Sequence, residues 1–205
     1  MDFAELMLAR RMTRAFTDET VDDETLDRVL DLGRRVPSAG NTQGFDMVVL
    51  QGASQTARYW DVTLAQEKRA TFRWQALLAA PVIVTVWADP AAYVARYDEP
   101  DKTRTGLGVG TDAWATPYWT VDASFAALGV QLAAQNEGLG VLFFGMFEHA
   151  EAVAHELGVP ADREPIGTIA LGWPLSDEIL VDGAGRSARR PRRPLNDVVH
   201  KGQWR

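Results

Sequence analysis

The 205-residue chain contains no cysteine. That absence excludes disulfides, thiolate nucleophiles, dithiol redox chemistry and Cys-ligated zinc or iron-sulfur centres. Histidine is nearly absent too: His149, His155 and His200 are the three, and His155-Glu156 lacks the second His four residues on that a helical zinc motif needs. No metal site is expected. No Gly-x-Ser-x-Gly marks a serine nucleophile. Long apolar runs are missing as well. The longest, "APVIVTVWA" from Ala80 to Ala88, falls far short of the roughly 20 residues that cross a bilayer and reads as a buried strand. The first residues, "MDFAELMLARRM", carry acids and no secretory pattern, so a cytoplasmic location is expected. Positive charge is in the minority, 21 Lys and Arg against 28 Asp and Glu for a net charge of -7. A general nucleic-acid binder draws its affinity from the opposite balance, so neither nucleic acid nor membrane is an expected partner. Any redox chemistry must belong to a bound cofactor.

What is present suits one globular domain, with 46% hydrophobic and 24% charged residues. Asp2, with Glu5 three residues on, makes a capping box for a first helix ending near Arg10, with Leu6, Met7 and Ala9 on its apolar side. A second helix starts after Val21, capped by Asp22 or Asp23, with Leu26, Val29, Leu30 and Gly33 along one face and Pro37 as its limit. Strands are expected at 45–50, after Pro81, at 141–147 and at 166–171. Helices are expected at 53–69 with helical residues continuing toward Ala80, at 91–97, at 118–137, and in a short stretch ending at Gly158. In the longest helix Val121, Phe125, Leu128 and Leu132 are spaced four, three and four apart, which marks them as its core face. The aperiodic stretch 98–117 reads as a lid or insertion. The pattern is an α+β domain in layers over 1–175, followed by an irregular arm over 176–205.

Three basic or amide-rich stretches stand out. "RRMTRAF" supplies Arg10, Arg11 and Arg14 where the first helix ends, "PSAGNTQGF" supplies Ser38, Asn41 and Gln43 on a small-residue turn, and "RRPRRPL" crowds arginines into the arm. Taken singly, the first is also what a favourable helix C-terminus looks like, and the second an ordinary turn. Together they offer guanidinium forks for a phosphate and amide groups for a flat heterocycle. "GLGVGT" at 106–111 lacks the third glycine and the preceding strand of a dinucleotide loop.

In order and spacing, "RRMTRAF", "RRVPSAGNTQGFDMVVL", "NEGLGVLFFGMF", "PIGTIALGWP" and "RRPLNDVVH" resemble the FMN-dependent nitroreductase family across nearly the whole chain. The resemblance implies a three-layer α/β/α fold with a mostly antiparallel central sheet flanked by helices. It also implies an intertwined homodimer with FMN at the subunit interface and a C-terminal arm exchanged between partners. By the same resemblance, Arg10, Arg11 and Arg14, with Met12 among them, hold the FMN phosphate and pyrimidine edge, and Arg14, then Arg10, would stabilise the reduced flavin. Pro37, Ser38, Ala39, Asn41 and Gln43 reach the ribityl chain and ring from the other subunit. Phe144 and Gly145 lie under the flavin, and Arg190, Arg192 and Arg193 cover the arm's phosphate contacts. Two departures are visible: Met12 stands where many members have Ser, and Gly44 where Pro is usual. "FRWQALL" at 72–78 also lacks the Asn and Lys some members place against the ring. The implied activity is ping-pong transfer from NAD(P)H through FMN to a nitroaromatic, a quinone or a similar flat acceptor. The alternatives are a dehydrogenase or reductase for one specific metabolite, and a flavin-binding protein with little turnover. Trp114, Tyr118 and Trp119 are either the acceptor pocket or ordinary core and interface aromatics.

Overall fold

Every residue of the strand Val82–Ala88 is buried, which places it inside a sheet covered on both faces. The computed structural model describes residues 2–175 and 190–204. In it this strand, β2, pairs antiparallel with β1 (Phe45–Gln51) on one side and β4 (Glu164–Gly172) on the other, and β3 (Gly140–Phe144) completes the order β1-β2-β4-β3. The two-residue period sorts the side chains. Val82, Val84, Val86, Val141, Ile169 and Leu171 form one face, while Ile83, Trp87, Leu142 and Ala170 form the other. The first face is covered by α2 (Asp23–Gly33), α5 (Pro90–Tyr97) and α6 (Tyr118–Asn136), the second by α3 (Ala53–Thr63) and α7 (Ala150–Leu157). The short helices α1 (Phe3–Ala9) and α4 (Gln66–Arg69) bury little, Leu6 alone in the first and no residue in the second. The class is α+β, with a four-stranded antiparallel sheet between helical layers, as the resemblance implied.

The helix starts obey their caps. Asp2 and Glu5 exchange bonds of 2.9 and 3.1 Å as a capping box, and Asp22 accepts from the Thr25 amide at 2.8 Å. Elsewhere the structure corrects the sequence. Only Leu6 of α1 is buried; Met7 and Ala9 are exposed. The helix expected over 53–69 breaks after Thr63, because Leu64 is extended, and resumes as α4 and a short 3-10 turn at Gln75–Leu77. The strand expected to reach Phe147 ends at Phe144.

The largest correction concerns α6. It is the spine of the first core, yet Phe125 and Leu128 are 44% and 42% exposed. Its buried face carries Trp119, Asp122, Ala123, Ala126, Ala127, Val130, Ala133 and Ala134 instead. Small residues are needed there because α2 comes close: a Cβ on Gly33 would lie 2.4 Å from Val130 Cγ2, and one on Gly129 would lie 2.7 Å from the Gly33 carbonyl oxygen. A face of alanine and glycine carries little hydrophobic signal, so the larger side chains on the opposite face dominated the periodicity.

The stretch 98–117 is three short 3-10 turns tied down by Trp114, which is buried and donates its Nε1–H to the Leu107 carbonyl at 3.0 Å. In the arm, residues 190–204 are almost all exposed around one turn at Leu195–Asp197. Its first part, 176–189, lies outside the described residues.

Candidate functional site

After α1 the chain runs extended past the ends of β3 and β4. The Thr13 amide donates to Val141 O at 2.7 Å, the Thr17 amide to Trp173 O at 2.9 Å, and the Leu175 amide to Ala15 O at 3.1 Å. Thr13, Ala15 and Phe16 are thereby buried, while Arg10 and Arg14 are half-buried and Arg11 is exposed. The distribution of charge is informative. Arg28, Arg58, Arg69, Arg96 and Arg163 each pair with a carboxylate; among the described residues Arg10 and Arg14 pair with none. Arg14 donates to the Met12 carbonyl at 3.4 Å and lies 5.6 Å from the centroid of the Trp74 ring, with Arg73 at 5.4 Å from the same ring. An indole holds a cation in place without neutralising it. Met12 itself packs against the second core, as Phe72, Trp74 and Phe144 do, and offers no hydroxyl.

Arg10 and Arg11 line a cleft of about 220 Å³ with Leu6, Thr13, Gln135 and Gly140. The Gln135 amide donates to the Arg11 carbonyl at 3.0 Å, leaving its Oε1 buried without a partner among the described residues. A phosphate ester bearing hydroxyls suits these groups, since it would meet two cations and supply a donor for that oxygen. Ligand sites typically run from roughly 300 to 1,000 Å³, so this cleft is smaller than most of them.

The turn from Ser38 to Gln43 lies between α2 and β1. Gly40, Asn41 and Gln43 have φ of 63°, 54° and 55°, a left-handed conformation that costs Asn and Gln free energy and persists only where the surroundings impose it. Here the Gln43 amide donates to Ser38 Oγ at 2.9 Å, Arg96 Nε to Gly40 O at 2.9 Å, and the Ala39 amide to Asp122 Oδ2 at 2.7 Å. Asn41 and Gln43 are left exposed. Pro37 at the entrance is exposed as well.

At the end of β3 the Phe144 ring stacks on Trp60 at 6.2 Å and 5°, which turns its side chain into the core. Gly145 follows, covered by the ring of Phe147, whose nearest atom would be 3.1 Å from a Cβ. Phe147 has φ of 48° and is 80% exposed, a strained aromatic at the sheet's edge.

Of the three candidate pocket aromatics, two are core residues. Trp114 and Trp119 are buried and pack edge-on with Tyr93, and Trp119 donates to Glu164 Oε2 at 2.8 Å. Tyr118 is the exposed member. Arg190, Arg192 and Arg193 are exposed, and Arg193 donates to the Asp197 carbonyl within its own turn. Three residues were not singled out from the sequence: Trp74, Tyr93 and Asp122. For Asp122 a signal existed, a lone acid within an apolar helix. No group of acids and histidines among the described residues is arranged to hold a metal ion, and no helix there is long and apolar enough to cross a membrane.

Comparison with known proteins follows the same lines. The Nitroreductase family model matches residues 7–173. A 5,6-dimethylbenzimidazole synthase of Rhodospirillum rubrum is 29% identical over 197 residues, covering 89% of this chain and 87% of that protein. An FMN reductase [NAD(P)H] of Bacillus subtilis is 25% identical over 193 residues, covering 93% of this chain and 70% of that protein. Among solved structures, a protein of Exiguobacterium sibiricum assigned to the nitroreductases and crystallised with FMN superposes with a TM-score of 0.72 at 21% identity, over 100% of this chain and 98% of that one. With the family model spanning both the basic segment and the final strand, the chain belongs to the Nitroreductase family.

Proposed function

We propose that this chain passes electrons from NAD(P)H, by way of bound FMN, to a nitroaromatic, a quinone or a similarly flat acceptor, as a cytoplasmic homodimer whose sites draw on both subunits. Family membership carries the coarser statement, that it is an FMN-type oxidoreductase. The observation that carries the finer one is the pair Arg10 and Arg14, half-buried cations with no carboxylate partner among the described residues. Bound FMN supplies the hydride chemistry, so the chain needs no acid or base of its own for that step.

The residues have separable tasks. Arg10 and Arg11 grip the phosphate by guanidinium forks, joined by one or more of Arg190, Arg192 and Arg193 from the arm. Arg14, steadied by Trp74, places positive charge against the pyrimidine edge, where reduction develops negative charge. Ser38, Ala39, Asn41 and Gln43 present polar groups from a turn that Pro37 introduces and the surrounding bonds hold rigid. The backbone at Phe144 and Gly145 forms the floor, and Met12 closes the side with an apolar contact. Tyr118 faces the acceptor, with Trp114 and Trp119 supporting it from the core. The small cleft and the exposed Phe125 and Leu128 on α6 support the second subunit.

The relative at 29% identity bears the name of a synthase rather than a reductase, which favours a second reading, action on one specific metabolite. Steady-state NAD(P)H oxidation against a panel of quinones and nitroaromatics separates the two. Turnover across the panel is expected; a protein that binds flavin but turns over no member of it contradicts the first reading.

A further inference from the structure

Gly44 follows the turn in the position where the family usually has Pro. A Pro there would stiffen the turn from within; the structure shows a different device. The ring of Tyr93, from α5, packs so close that a Cβ at Gly44 would lie 2.5 Å from its Cε2 atom. The side chain of a proline would collide with that ring. Tyr93 is fully buried, and its hydroxyl donates to Asp122 Oδ2 at 2.8 Å. The same oxygen accepts the Ala39 amide at 2.7 Å. Asp122 is 2% exposed on α6. A carboxyl group that deep is retained only where its bonds offset the loss of water.

We infer that Tyr93 and Asp122 form a strut beneath the turn, positioning residues that hold Asn41 and Gln43 in their left-handed conformation and so set how tightly FMN is bound. The inference rests on the proposed FMN site. The strut crosses the helical layer, from α5 through Asp122 on α6 to Ala39 in the turn. Its geometry accounts for three otherwise unrelated features: a glycine in place of proline, an acid inside an apolar helix, and exposed side chains with positive φ. If the strut is cut, the turn spreads over other conformers. Apparent affinity then falls in proportion to the fraction still in the bound shape.

Three variants test this. Tyr93→Phe keeps the ring and removes one bond; Asp122→Ala removes both; Asp122→Asn keeps an oxygen able to accept both. Amide exchange of Ala39 and the turn is measured in the flavin-free proteins, and FMN affinity is measured by titration at a temperature where each is fully folded. Tyr93→Phe and Asp122→Ala are expected to speed exchange in the turn and raise the FMN Kd by about tenfold or more, while Asp122→Asn stays within about threefold of the parent. Unchanged exchange, or faster exchange with unchanged Kd, overturns the inference. Should Asp122→Ala not fold, Tyr93→Phe decides alone. A parent protein that takes up no FMN defeats the proposed site instead, and a turn whose exchange still responds to Tyr93→Phe then shows that the two failures are separate.

Discussion

Arg14 and Trp74 illustrate how much a single contact adds to a motif. The sequence supplies the arginine, and the resemblance supplies its expected target, but neither says why a cation without a carboxylate partner stays in one place. The Trp74 ring 5.6 Å from the guanidinium does. Trp74 belongs to the segment 72–78, to which the resemblance assigned no residue of the site. Because Arg14 keeps its full charge, its removal costs more than a paired surface arginine would. Arg14→Ala is expected to raise the FMN Kd by roughly 10- to 100-fold, the scale of one charge-assisted contact in a partly dry site, with little change in thermal stability. A variant that retains flavin like the parent removes Arg14 from the site. Arg10, Arg11, Arg14, Ser38, Asn41 and Gln43 stood out in the sequence, and their place in an FMN site is our proposal. Tyr93 and Asp122 did not stand out, because their importance lies in a bond between helices 29 residues apart, and sequence spacing does not carry such bonds.

Among the elements, α2, β1, β2, α5 and α7 were legible because each has an unambiguous cap or period: Asp22 on α2, unbroken burial along β2, Gly158 in the left-handed conformation at the end of α7. The helix α6 was legible in extent but not in orientation. Its interior face is built from alanine so that α2 and the sheet can approach, and its large residues look outward. Phe125 and Leu128 are accompanied by exposed Phe3, Met7 and Leu8 on α1 and Leu32 on α2, a set of apolar side chains that suits a second subunit. Phe125→Glu combined with Leu128→Glu is expected to convert a dimer to a monomer in sedimentation while leaving the helical circular dichroism unchanged, since neither side chain belongs to the core. A dimer that survives both charges places the interface elsewhere.

At the scale of the whole molecule, the layered architecture and the family are established by the chain's own alternation and by a match over 7–173. The contribution of the arm and the two-subunit site remain our proposal. In that proposal the arginines of the arm, which oppose the acidic character of the rest, share a phosphate with Arg10. The molecule therefore makes chemical sense as a flavoprotein. The most direct test is to purify the protein, release and identify its chromophore, and add NADPH or NADH to it without oxygen. FMN should be recovered, its visible absorbance should bleach on addition of a nicotinamide, and a quinone should restore it. A colourless protein that takes up no added FMN, or a bound flavin that neither nicotinamide reduces, contradicts the account.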